Sequence, residues 1–330
     1  VYANYCGEVV FAGRSSAPSG ASTGSNEARE LRDNDPKRYN GKGTLQAAQN
    51  VTELITPAVK NLVLNNIHDL DRAIRRVDKP ELKEKIGGNA TTATSFAFAT
   101  AGANMNGEEL FQYLARQIYP EESIPTKFKL PTPFFNILNG GKHAGGNLKL
   151  QEFMVSPAEN IPFPDQLRMV AEVYQKLGGI LSKQFGVSAK NLGDEGGFAP
   201  LINSPDEALT VIEQAITEAG YKPGEEIRIG LDAAASEFYD KETKLYEVEV
   251  GMKKNGDELI QYWADMIEHH PSIVSVEDAL DEKDYAHWIK LNKELGSKVQ
   301  LVGDDLYTTN PNTIKKGLEG NWCNALLLKV

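Results

Sequence analysis

Three short runs, Ile227-Arg-Ile-Gly-Leu-Asp232, Ser272-Ile-Val-Ser-Val-Glu277-Asp278 and Val299-Gln-Leu-Val-Gly-Asp304-Asp305, share one pattern: a mostly apolar stretch of strand character, then an acid where the strand should stop. Any one such acid reads equally well as a helix N-cap or a turn former. In succession they favour a shared site. Helical segments separate the runs, so the strands should be parallel and Asp232, Glu277 and Asp304 should surface on one carboxyl-terminal edge. Converging hard oxygen donors are what a divalent cation of the magnesium type requires. Glu152, Glu195 and Lys329 also stand at expected strand or loop ends. So many carboxylates in one pocket repel one another unless cations bind among them or some are protonated. Such a pocket suits proton abstraction beside a substrate carboxylate, with cations stabilising the developing charge and a lysine of lowered pKa as base. Taken alone, Lys329 reads as a strand-end lysine reaching for water, His143 as a loop histidine and Glu195 as a turn residue.

The elements that must position these groups follow from pattern. With 330 residues, 41% hydrophobic and 25% charged, the chain can hold a large core, as two domains or as a barrel with an accessory unit. A net charge of −11 argues against a nucleic-acid surface. No apolar run has membrane-spanning length and no signal pattern opens the chain, so a cytoplasmic location is expected. Cys6 and Cys323, far apart, make a disulfide framework improbable. Residues 1–14 are β-like, and the small-residue run at 15–24 reads as a linker or, with a ligand, as a lid. Residues 44–103 read as interrupted helix, weakened by threonines near its end. A turn-rich stretch at 119–126 marks a boundary, giving domains 1–124 and 125–330.

Beyond the boundary, strands are expected at 134–138 and 148–155, the latter alternating so that Gln151 and Glu152 face opposite ways. Between them lies a glycine-rich loop carrying His143, and a helix follows over 164–181. Ser204-Pro205-Asp206-Glu207 opens the next helix and Gly220 closes it. Helices around Trp263 and Trp288 separate the acid-ended strands, and a final strand is expected over 324–330. This alternation fits a parallel α/β barrel with its chemistry at the strand ends, although an open doubly wound sheet gives a similar local pattern. No G-x-G-x-x-G follows the first strand, so no dinucleotide site is expected.

Eight motifs carry a resemblance. Pro18-Ser-Gly-Ala-Ser-Thr-Gly24, Asn139-Gly-Gly-Lys-His-Ala-Gly-Gly146, Leu150-Gln-Glu-Phe-Met154, Gly193-Asp-Glu-Gly-Gly197, Gly230-Leu-Asp232 with Ser236-Glu-Phe238, Ser275-Val-Glu-Asp278, Gly303-Asp-Asp-Leu306 and Leu326-Leu-Leu-Lys-Val330 resemble, in order along the chain, the motifs of the enolase family. The resemblance implies a smaller α+β domain over 1–124 and an enolase-type (β/α)8 barrel over 125–330. It implies a cytoplasmic lyase that dehydrates 2-phosphoglycerate to phosphoenolpyruvate in glycolysis and gluconeogenesis, commonly as a homodimer. Asp232, Glu277 and Asp304 would hold a first Mg2+, and Ser22 would contribute to a second shared with the phosphate. Lys329 would take the proton from carbon 2, and Glu195, assisted by Glu152, would protonate the departing hydroxide. Gln151 would orient the pocket and His143 would sit in a lid over the substrate. The family's opening Ser-Arg-Gly-Asn-Pro-Thr run and its segment beyond the base lysine are not matched, so the barrel is expected to be incomplete. The alternative is a catalytically inactive enolase-like fragment that acts as a binding or structural protein.

Overall fold

The hairpin that opens the chain shows how local sequence sets local structure. Strands β1 (Tyr2–Tyr5) and β2 (Glu8–Phe11) pair antiparallel, and Cys6 and Gly7 turn between them with φ of 52° and 88°. Positive φ at both central residues matches the twist of a two-residue hairpin. The structure is a computed structural model that describes residues 1–20, 24–79, 82–144 and 146–329, apart from the side chains of Lys142 and His143. It divides into two units, Val1–Lys129 and Leu130–Lys329.

In the first unit, α1 (Leu45–Asn50) runs through a π-helical turn at Val51–Ile55 into α2 (Thr56–Val59), and α3 (Ile67–Val77), α4 (Gly88–Asn106) and α5 (Leu110–Ile118) follow. Ala47, Ile55, Leu70, Ile74, Ile86 and Ala90 form its core. The threonines expected to weaken α4 do not interrupt it. Thr91, Thr94 and Thr100 donate their hydroxyls to the carbonyls of Gly87, Ala90 and Phe96, at 3.0, 2.8 and 2.9 Å, so these three hydroxyls are satisfied within the helix itself.

The second unit is built on a six-stranded sheet of β3 (Phe135–Asn139), β4 (Glu152–Pro157), β5 (Ile227–Asp232), β9 (Ile273–Glu277), β10 (Gln300–Gly303) and β11 (Ala325–Leu326). Its strand order is β11-β10-β9-β5-β4-β3. A small antiparallel sheet of β6 (Tyr239–Asp240), β7 (Leu245–Glu249) and β8 (Met252–Lys254) lies between β5 and β9 in the chain. The helices are a single turn α6 (Gly141–Ala144), then α7 (Phe163–Phe185), α8 (Pro205–Glu218), α9 (Gly256–His269), α10 (Tyr285–Leu295) and α11 (Pro311–Gly320). Ser204 caps α8 by accepting from Glu207 N, and Asn255 and Glu258 form a capping box on α9. Phe153, Val155, Ile229, Leu231, Val276 and Leu301 share one core with apolar residues of α7 to α10, including the fully buried Trp288. Among the described residues no helix is long and apolar enough to cross a membrane.

Three expectations need correction. The sheet is parallel from β5 through β9 and β10 to β11, but β4 runs antiparallel to both β3 and β5. The β3–β4 link holds only the single turn α6, too little for a crossover, and two helices rather than one carry the chain from β4 to β5. β4 also starts four residues later than expected, because Gly141 N bonds Leu148 O at 2.7 Å and Gly140 N bonds Gln151 O at 3.0 Å, folding residues 148–151 against the preceding loop. The last strand is short: after Leu326 one further amide, Leu327 N, reaches Gly303 O at 3.1 Å, while Lys329 N turns to the Thr309 hydroxyl at 2.9 Å.

Candidate active site

β5 and β9 finish level, with Asp232 opposite Glu277. Glu277 in turn lies opposite Val302 of β10, so Asp304 follows just past the same edge. Antiparallel β4 brings its first residue there too, with Glu152 opposite Asp232. A row of acids is thus set by sheet register alone.

The backbone beyond each strand end fixes the side chains. After β5, Ala234 takes φ of 44° and its N–H donates to Asp232 Oδ1 at 2.9 Å, while the Gln151 amide donates to Asp232 Oδ2 at 3.3 Å. After β9, Asp278 takes φ of 40° and its carboxylate accepts from Asp304 N at 3.0 Å and from Asp305 N at 2.8 Å. A positive φ at a residue with a side chain is unfavourable unless its surroundings hold it. Lys329 Nζ pairs with Asp304 Oδ2 at 2.6 Å. Beside β3, the Asn136 amide donates to Glu195 Oε2 at 3.1 Å, and Glu195 is hydrogen-bonded to Glu152. The Glu195 loop is fastened to β3 through Asn139 N to Phe198 O at 2.8 Å and Phe198 N to Ile137 O at 3.0 Å. Tyr174 on α7 holds it from behind, its hydroxyl donating to Gly196 O at 2.7 Å.

The structure therefore gathers Gln151, Glu152, Glu195, Asp232, Glu277, Asp304 and Lys329 at one edge. Gln151 and Glu152, expected on opposite faces, both bear on it, because Gln151 precedes the strand and escapes its alternation. Ser22 lies outside the described residues; His143 falls in α6, and its side chain lies outside them. Sequence reasoning passed over Asp278 and Asn136. The signals were present: Asp278 doubles the acid at the end of β9, and Asn136 is a polar residue between the apolar Phe135 and Ile137 of β3.

Burial and crowding dominate the electrostatics. Burial, the hydrogen bond that protonated Glu152 donates to Glu195 and the Asp232 charge push Glu152 up to about 9. Burial, then the charges of Asp278, Asp304 and Glu152, push Glu277 up to about 9, with Lys329 partly opposing. Asp278 is raised to about 8 by burial and by Asp305, and Asp232 stands well above its ordinary value through burial and Glu277. Anionic oxygens crowded out of water in this way are stabilised by a positive charge placed among them. The donor set fits a hard divalent cation: Glu277, Asp278 and Asp304 each offer a carboxylate oxygen, all within 4.8 Å of one another, and Asp232 adjoins them.

Both units have counterparts among known families. Residues 4–114 match the family model of the enolase N-terminal domain, and residues 127–330 that of the enolase C-terminal TIM barrel domain. Over 318 residues the chain is 46% identical to the enolase of Methanopyrus kandleri, a match covering 96% of this chain and 72% of that protein. The enolases of Thermococcus kodakarensis and Thermococcus gammatolerans are 43% and 42% identical over 321 residues, 97% of this chain and 72% of theirs.

Proposed function

The chain belongs to the enolase family, with that family's N-terminal domain and TIM-barrel domain, and from that premise we propose that it is a magnesium-dependent lyase converting 2-phosphoglycerate to phosphoenolpyruvate. The observation that carries the reading is the arrangement of the edge. A lysine ion-paired to the carboxylate cluster arrives just after β11, and a hydrogen-bonded carboxyl pair arrives near β3, at the other end of the strand order. Base and acid therefore approach the substrate from two sides.

Lys329 Nζ takes the proton from carbon 2. The C3–O bond then breaks, a double bond forms between carbons 2 and 3, and hydroxide leaves as water with a proton from Glu195. Glu152, pushed up to about 9, holds a proton at neutral pH and shares it with Glu195 through their hydrogen bond, which keeps the acid side of the site supplied. Asp232, Glu277 and Asp304 would hold one magnesium ion, and Ser22 would contribute to a second. When bound, the cations supply positive charge against the substrate carboxylate and phosphate. Gln151 fixes the Asp232 carboxylate through its amide, and His143, in the single turn α6, would sit over the substrate. By the same reading the protein works in the cytoplasm, in glycolysis and gluconeogenesis, as a homodimer.

The test is appearance of the product's ultraviolet absorbance from 2-phosphoglycerate, with magnesium and after chelation. Magnesium-dependent turnover that falls by about 10²–10⁴-fold in Lys329→Ala is the expected result. Folded protein that gives no turnover with magnesium would instead favour an enolase-like binding protein.

A further inference from the structure

Asp278 is 5% exposed and stands directly after Glu277, near enough to share an ion with Glu277 and Asp304, yet the reaction above gives it no part and both its oxygens are already engaged by backbone amides. Its bonds reach in three directions. Its N–H donates to Val302 O of β10 at 3.0 Å, and its carbonyl accepts from Ala235 N, just beyond β5, at 2.9 Å. Its carboxylate spans the consecutive amides of Asp304 and Asp305, one oxygen on each, at 3.0 and 2.8 Å. One residue thus joins the ends of β5, β9 and β10, the strands that deliver Asp232, Glu277 and Asp304. The φ of 40° at Asp278 is what lets its carboxylate and its main chain serve different strands at once.

We infer that Asp278 is a positioning residue for divalent-cation binding, whose carboxylate clamps the Asp304–Asp305 backbone and so aims Asp304 at the ion held with Glu277. A carboxylate engaged by two backbone amides is acting as an anchor for the chain that carries its neighbour. Groups that orient ligands in this way alter metal affinity by about 10- to 100-fold when changed. The inference rests on the cation reading of the edge given above.

The experiment is binding of Mn2+ to the purified protein, followed by electron paramagnetic resonance and by water-proton relaxation, in the unaltered protein, Asp278→Asn and Asp304→Ala. Asparagine keeps the shape of Asp278 but offers one acceptor and an amide that cannot accept, so half of the clamp is lost. Mn2+ affinity should drop about 10- to 100-fold in Asp278→Asn, with the number of water molecules on the bound ion unchanged. Unaltered affinity would overturn the inference, and so would an additional water on the ion, which marks loss of a direct ligand. Should Asp304→Ala bind Mn2+ as tightly as the unaltered protein, the cation reading itself falls, a separable result. If Asp278→Asn does not fold, amide hydrogen exchange in the unaltered protein decides: protected Asp304 and Asp305 N–H groups support the clamp, and exchange at open-loop rates removes it.

Discussion

Glu152 and Glu277 make the site sensitive to proton concentration in a definite sense. Each has an ordinary value of 4.5 and is raised to about 9 in the folded protein, chiefly by burial. Between those values the folded state keeps protons that the unfolded state has released, so stability is full below the lower one and declines as pH rises through the window. The cation-free protein is therefore expected to melt at a lower temperature near pH 9 than near pH 5. Magnesium should shrink the difference, because it favours the ionised carboxylates. Melting curves in chelator that rise with pH would contradict this. Asp232, Glu277 and Asp304 were legible because an acid ending an apolar run is a visible pattern. Asp278 was not, since its importance lies in a positive φ and in backbone amides that arrive from another strand, neither of which leaves a mark in sequence.

The loop carrying Glu195 works as an element because it is laid against β3 without room to spare. A Cβ at Gly197 would stand 2.4 Å from Asn139 Oδ1 and 2.9 Å from the Leu138 backbone nitrogen, and the backbone atom cannot swing aside. Gly197→Ala should push the loop away from β3 and carry Glu195 with it. Displacing a catalytic group by about 1 Å costs about 10²-fold in rate. On the proposed function, a loss of turnover of at least about tenfold is accordingly expected, with cation binding by Asp232, Glu277 and Asp304 preserved. Wild-type turnover would show that the loop tolerates the shift. Most helices could be placed from their apolar spacing and caps, as Ser204 on α8 shows. The direction of β4 could not, because strand polarity depends on the number and length of the elements that intervene and not on residues within the strand.

On the scale of the whole chain, the division between Lys129 and Leu130 falls in a stretch where Lys127, Phe128 and Lys129 are exposed. The proposed boundary at 124/125 lies nearby. Brief digestion with trypsin should cut first after Lys127 or Lys129, releasing two fragments whose masses identify the junction. First cleavage inside the six-stranded sheet would contradict that boundary. Turn-forming residues led to the proposed junction at 124/125; the pairing of distant strands left no such mark, because register is settled by packing across the core. One consequence of the backward-running β4 extends further. On β5, β9 and β10 the acids at the working edge come at or just past the end of the strand, whereas on β4 Gln151 and Glu152 come just before and at its start and are placed by the preceding loop. An insertion or deletion in that loop shifts Gln151 and Glu152, and with Gln151 the amide that holds Asp232, while Glu277 and Asp304 stay where β9 and β10 put them. Inheritance can therefore vary the approach to Glu152 without rebuilding the strands that carry Glu277 and Asp304.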